Sequence, residues 1–350
     1  MGAEMASDGP ELDTQLLDGF GFVCRPDCGL CCYASPRIAR PELRELLAAA
    51  PEAQLVARGS DRFLAARPHG GACQFLTERR CGVHAARPSP CREFPVTVHV
   101  GERLQASLVL SCPGLDLRPL LADAPGAPAR AFEGELAAVR RRIDASVQGR
   151  VDAAARRRRR LVRALEAEGL WMSEAEVRRR LRARAPLPGA EEFPVEDPPE
   201  VSEGWEQLPL FFDGRAGPVG ISRAMGGWAL HELSPMGGAA HELGVVPPPT
   251  RPPTTTEEGA AVLARYLDYW LDRDAFFGSV LLGSAEARLP VLTVAELELR
   301  AVGAQVLVRA EVRAKLRGLP SDPLSAAAIA DGIRATDQDW LDRPTWGDRL

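Results

Sequence analysis

After Cys112 the chain has no cysteine, although about two-thirds of its 350 residues are still to come. That absence argues against a fold stapled throughout by disulfides, since every bridge would have to close within the first third. No run approaches the ~18 consecutive apolar residues that a membrane-spanning helix needs, so no membrane partner is expected. The opening residues, Met1-Gly2-Ala3-Glu4-Met5-Ala6, carry neither a basic region nor an apolar stretch. With no secretory leader to read, the expected location is the cytoplasm. A glycine-rich loop that follows a strand and is trailed by an acidic residue is also missing. Gly214, Gly217 and Gly220 read as turn residues, which leaves an ordinary nucleotide or S-adenosylmethionine fold without support. His231-Glu232 and His241-Glu242 fall short of the His-Glu-x2-His spacing that sets two imidazoles on one helical face. Beyond these paired His-Glu-Leu triplets there is no sizeable repeat.

What is present is concentrated. The eight cysteines fall as Cys24-x3-Cys28-x2-Cys31-Cys32, Cys73-x7-Cys81, Cys91 and Cys112. Thiolates at turn spacing, gathered from separate loops of one small region, are what a soft metal ion or an iron-sulfur cluster requires. In a reducing compartment such clusters are ligands more often than disulfides. All eight are therefore candidate metal ligands. They could hold two four-cysteine zinc sites, or one iron-sulfur cluster with further ligands or a second metal. The adjacent pair Cys31-Cys32 is awkward for one tetrahedral zinc, because neighbouring side chains diverge; it more easily serves two metals, or leaves one thiol outside the set of direct ligands. Cys112-Pro113 is similar to the Cys-Pro that ends bacterial ferredoxin runs, which tilts the reading to an iron-sulfur cluster with zinc as the alternative. A hairpin between them would return Cys112 to Cys91, so these two are expected at one metal. Arg87 and Arg92 flank Cys91 closely enough to offset thiolate charge. His69, His84 and His99 are not needed as ligands, and His99 is expected on an exposed strand face.

Several runs carry a resemblance. Cys24-Arg25-Pro26-Asp27-Cys28-Gly29-Leu30-Cys31-Cys32, Cys73-Gln74-Phe75-Leu76, Cys81-Gly82-Val83-His84 and Arg87-Pro88-x2-Cys91-Arg92-x-Phe94-Pro95 resemble the YkgJ family of cysteine-cluster proteins. The resemblance implies a zinc- or iron-chelating domain over the first third of the chain. A fainter likeness, of Ala264-Arg265-Tyr266-Leu267 through Phe276-Phe277 to the helical part of flagellin lysine-N-methylases, implies an alternative activity, S-adenosylmethionine-dependent methylation of a protein lysine. The spacing Cys24-x3-Cys28-x2-Cys31 is also that of radical S-adenosylmethionine enzymes, but the repeated strand-helix units that follow the motif there are absent here.

The expected fold class is α+β, in five stretches: a mobile lead-in over 1–19, a small irregular cysteine-rich metal module with a β-hairpin over 20–117, an arginine-rich helical arm over 118–185, a proline- and glutamate-rich linker over 186–204, and a mainly helical unit with a small antiparallel sheet over 205–350. Within them a helix is expected from Pro41 to Pro51, and strands at 62–66 and 72–76. The alternation of Val96, Val98 and Val100 with polar residues, mirrored after Gly101-Glu102, predicts the hairpin. Phe132, Leu136, Val139, Ile143, Val147 and Val151 step by three or four and predict one long helix. Ser173-x2-Glu176 opens another. Further strands are expected at 208–212, 219–223 and 228–233. Thr254 to Glu258 starts a buried helix, Thr293-x2-Glu296 a long one ending near Gly318, and Pro323 a last one.

Sixteen arginines against eight carboxylates give residues 130–184 a charge of +8, while the remainder sums to −13. Arg156 to Arg160 spans more than a turn, and Arg158 continues the apolar stripe, so either the helix breaks or Arg158 meets an acidic group. Aromatics do not interleave with this run, Trp171 being the only indole nearby. A solvated or protein-facing surface is expected rather than a nucleic-acid grip.

Overall fold

The computed structural model describes residues 10–25, 28–33, 36–59, 61–68, 71–121, 132–184, 210–211, 218–249, 251–341 and 348–349. The linker expected over 186–204, and residues 1–9 of the lead-in, lie outside them. The class is α+β, with ten α-helices among the described residues and several small, mostly antiparallel sheets. None of these helices is long and apolar enough to cross a membrane.

The apolar core does not follow the segment boundaries read from the sequence. The hairpin strands Val96–Val100 and Leu104–Leu108 form as expected, with Val96 opposite Leu108. They pack, however, into the main core together with Leu110, Leu115, Leu117 and Leu120. Their partners there are the buried faces of helices Glu257–Asp272, Asp274–Ala287, Val291–Leu316 and Ala326–Leu341. The lead-in joins them. Leu12–Asp13 pairs in parallel with Leu104 and Gln105, and Leu17 is buried, as is Phe20 just beyond the lead-in. On the opposite edge Asp348–Arg349 pairs with His99 and Val100. His99, expected exposed, is buried there.

The arm is packed as well, and it is not one helix. Glu133–Arg140 ends in a turn, and Asp144 restarts the chain by accepting hydrogen bonds from Ser146 and Val147 N–H at the head of Ala145–Ala167. Phe132, Leu136, Val139, Val147 and Val151 sit in the main core. The second helix runs unbroken through the arginines. Arg158 has its acidic partners, Glu102 at 2.9 Å and Glu174 at 2.7 Å. Arg156, Arg157, Arg159, Arg160 and Arg163 are exposed. Duplex and single-stranded nucleic acid are expected to bind this surface weakly at physiological salt. A tight complex that weakens steeply with salt, and is lost when Arg156, Arg157, Arg159 and Arg160 become glutamine, would overturn that expectation.

Three further differences have local causes. The strand expected at 72–76 shrinks to a bridge between Ala66 and Cys73 and the pair Leu76–Thr77 with Arg80–Cys81. Thr293 does not cap the long helix, which begins at Val291 with Pro290 as its N-cap. Ala239–Val246 adds an unexpected strand to the sheet of Leu210–Phe211, Pro218–Ala224 and Gly227–Leu233. Val219, Ile221, Trp228, Leu230 and Val246 of that sheet pack on Val308, Val312 and Ala335 of the helices.

Candidate metal centre

The cysteine region has its own small core. Ile38, Leu46, Leu64, Ala72, Phe75 and Leu76 are buried there with Cys32 and Cys73, so two of the thiols are themselves core residues. The helix Arg40–Ala49 closes one side, and Asp61–Leu64 pairs with both Arg37–Ile38 and Leu55–Arg58. With so little apolar area, local hydrogen bonds set the thiols in place.

Cys24 is placed by strand pairing. Gly21–Phe22 runs antiparallel to Leu115–Asp116, Phe22 lies opposite Leu115, and Val23 N–H donates to the Gly114 carbonyl at 3.0 Å. That register carries Cys24 alongside Pro113, next to Cys112. It also requires glycine at 114, where an added Cβ would stand 2.5 Å from the Val23 oxygen. Cys28 follows in a turn closed by its own N–H on the Arg25 carbonyl at 3.2 Å, and its Sγ accepts the Leu30 N–H at 3.4 Å. Gly29, at φ 64°, then feeds the short 3-10 turn Leu30–Tyr33 that carries Cys31 and Cys32. Cys112 is buried. Arg334 holds its carbonyl at 2.5 Å and that of Leu115 at 2.7 Å.

The other thiols come from the far side. Cys73 N–H donates to the Cys32 carbonyl at 2.6 Å. Arg67 then pins this loop, donating to the carbonyls of Cys73 at 3.0 Å, Gln74 at 2.8 Å and Leu76 at 3.1 Å, and to Pro235 of the C-terminal sheet at 3.3 Å. Cys81 lies opposite Leu76 across a tight turn in which Glu78 and Arg79 both have positive φ. Cys91 rides on the helix Ser89–Glu93, whose first N–H is held by the Glu42 carboxylate at 2.8 Å; Arg92 binds the same oxygen at 3.1 Å.

Cys31, Cys32, Cys73, Cys81 and Cys91 line one cavity of about 30 Å³, closed by Pro36, Leu64, Val83 and Pro88, with Arg87 at its wall. None of the eight cysteines is in a disulfide. Side-chain hydrogen bonds with Cys32 hold the Cys31 and Cys81 thiols below the ordinary value, Cys81 at about 6, and drive Cys32 itself far up. Burial pushes Cys91 well above the thiol range and Cys112 to about 12. Arg87 is the cation that favours thiolate at Cys24, Cys31, Cys81 and Cys91. Its Nε is buried without a hydrogen-bond partner among the described residues. A guanidinium at the wall of an apolar cavity lined by five thiols fits a thiolate-bound metal group. As they stand, no three Cys, His, Asp or Glu side chains among the described residues converge closely enough to hold a single ion.

Residues 23–113 match the model of the CxxCxxCC family, described as "Putative zinc- or iron-chelating domain". No curated protein and no solved structure matches the chain. The match supports metal binding by the cysteine cluster and covers the CxxCxxCC region alone, leaving most of the helical core outside it.

Within that region the expected ligands are not all together. Five share the cavity, whereas Cys24, Cys28 and Cys112 do not line it. Cys112 was expected beside Cys91. Cys91 lines the cavity and Cys112 does not. The hairpin does return the chain, and residues 114–116 then pair with 21–23. His84 is exposed on the surface. His231 lies in the C-terminal sheet, hydrogen bonded to Ser222 Oγ at 2.9 Å. Sequence reasoning missed Glu42, Arg67 and Arg334. Glu42 and Arg334 act on groups 47 to 222 residues away, and Arg67 holds carbonyls through a loop whose shape the sequence does not mark, so no local pattern reveals them.

Proposed function

We propose that this chain binds metal as an iron-sulfur cluster protein, with zinc as the alternative, and that it works as a metal or cluster carrier, a redox protein or a partner-binding protein in the cytoplasm. The observation that carries the reading is the cavity where five thiols and the Arg87 guanidinium meet. A tetrahedral zinc with ~2.3 Å bonds draws its sulfurs to within roughly 4 Å of one another. Cysteine ligation serves a cluster as well as zinc, and the Cys112-Pro113 pair is what tilts the reading to the cluster. When bound, such a group supplies electron transfer or transferable iron and sulfide. The chain's own residues supply the thiolates, the positive charge at Arg87 and an apolar wall that keeps water out.

The methylase alternative gains nothing from the structure. Tyr266, Leu267, Phe276 and Phe277, on which that likeness rests, are buried core residues.

Protein purified without oxygen is expected to contain iron and acid-labile sulfide and to show thiolate-to-iron absorption. Colourless protein with stoichiometric zinc would replace the cluster by zinc, and protein without metal after reconstitution with either would end the metal reading. Transfer of iron and sulfide to an apo iron-sulfur acceptor protein tests the carrier role.

A further inference from the structure

We propose that the turn 234–238 of the C-terminal sheet docks on the Cys73 loop in a manner coupled to metal binding, so that occupancy of the cysteine cavity is signalled to that sheet. This rests on the metal reading above and extends it to residues that touch no metal.

The turn has a shape of its own. It joins the antiparallel strands Gly227–Leu233 and Ala239–Val246, and its bonds are internal. Ser234 N–H donates to the Gly238 carbonyl at 3.1 Å, Gly237 N–H to the Ser234 carbonyl at 2.9 Å, and Met236 N–H to Ser234 Oγ at 3.1 Å. Gly237 and Gly238 take φ of 104° and 73°, which glycine adopts without strain. A turn closed in this way holds the Pro235 carbonyl in one direction. That carbonyl meets the cysteine region, where it accepts the Ala72 N–H at 3.0 Å and the Arg67 guanidinium at 3.3 Å. The fit is close: a Cβ added at Gly71 would stand 2.9 Å from the Gly237 nitrogen.

On the loop side one guanidinium carries the link. Arg67 donates through Nη1 to the carbonyls of both Cys73 and Pro235, which lies 168 residues away, and through Nη2 to those of Gln74 and Leu76. Ala72 and Cys73 are buried, and Cys73 lines the cavity. A metal bound through the Cys73 thiolate fixes the backbone that Arg67 grips, and with it the fork and the Ala72 N–H that hold Pro235. Metal and turn thus order the same loop, and two groups that order one loop favour each other's binding by the same factor. Beyond the turn, Trp228, Leu230 and Val246 pack on Val308, Val312 and Ala335 of the helices. That anchorage confines the response to the end of the sheet nearest the cysteines. Met236, 70% exposed on the turn, is the side chain whose setting then differs between loaded and empty protein.

The test is amide hydrogen exchange on the full-length protein, loaded and stripped of metal, together with the metal it retains against a graded series of chelator concentrations. Stripping is expected to speed exchange at Ser234 and Gly237 by at least ~10-fold, with little change over residues 228–230. The double variant Gly237→Ala, Gly238→Ala distorts the turn and leaves every cysteine and Arg67 in place. It should give up its metal at roughly 10-fold lower chelator than wild type. Arg67→Lys keeps the charge but loses the fork, and should fall between the two. Unchanged exchange at the turn on stripping, or wild-type metal retention in the double variant, would overturn the coupling while leaving metal binding in place. Wild type that takes up no metal would overturn the metal reading, and the coupling with it. The wild-type comparison decides the matter whether or not the double variant folds.

Discussion

Stripping the metal is expected to unfold residues from about Cys24 to Cys91 and to leave the helices beyond Glu257 protected. Amide hydrogen exchange along Leu55–Arg58 and Asp61–Leu64 should accelerate by at least ~100-fold, with little change along Val291–Leu316. The cause is the disparity between the two cores. The smaller counts Cys32 and Cys73 among its buried members and is framed by strands of two to four residues. Such a core holds too little apolar area to stand without its ligand. Composition alone would extend the melting to about residue 114. Burial of Val96 to Leu120 among the helices shortens it, and the hairpin should stay protected. Equal exchange rates in both regions after verified metal removal would sink this account.

The second large effect is expected at Asp337, which lies in the main core with no solvent exposure. Its carboxylate accepts from Arg273 at 2.8 and 3.1 Å, from Leu110 N–H at 2.7 Å and from Tyr266 at 3.1 Å. Arg273, equally buried, also donates to the Leu108 carbonyl at 2.6 Å and stacks on Trp270 with 4.3 Å between its guanidinium carbon and the ring centroid. The network locks the hairpin to the C-terminal helices. Replacing Asp337 by alanine leaves a buried guanidinium unpaired, which typically costs about 3–5 kcal/mol. The main urea transition should shift accordingly, whereas the double variant Asp337→Leu, Arg273→Met should lose less than the two single variants combined. A shift below about 1 kcal/mol for Asp337→Ala would mean that the pair is not desolvated as described.

The cysteine spacing made the metal region legible, because ligand chemistry needs turns and turns leave local marks. Alternation made the hairpin legible for a similar reason. The break at Asp144 was hidden: Ile143 and Val147 keep the spacing of four across it, so the apolar period continues while the backbone restarts. Ala239–Val246 was hidden differently, since Gly244, at φ 149°, and the polar His241-Glu242 interrupt any strand pattern. Leu12 stands among polar residues, and only the sheet edge it meets gives it a place. The placement of Cys24 depends on contacts between 21–23 and 114–116, which no spacing rule encodes.

The lock between Leu110 and Asp337 joins residues 227 apart, and that separation has a consequence in time. At a synthesis rate of 5–20 residues per second, the hairpin waits roughly 10–45 s for the carboxylate that secures it. The thiols from Cys24 to Cys112 have by then all emerged. Metal loading can therefore precede completion of the main core, and a nascent chain starved of metal would present two unfinished cores to the cell at once.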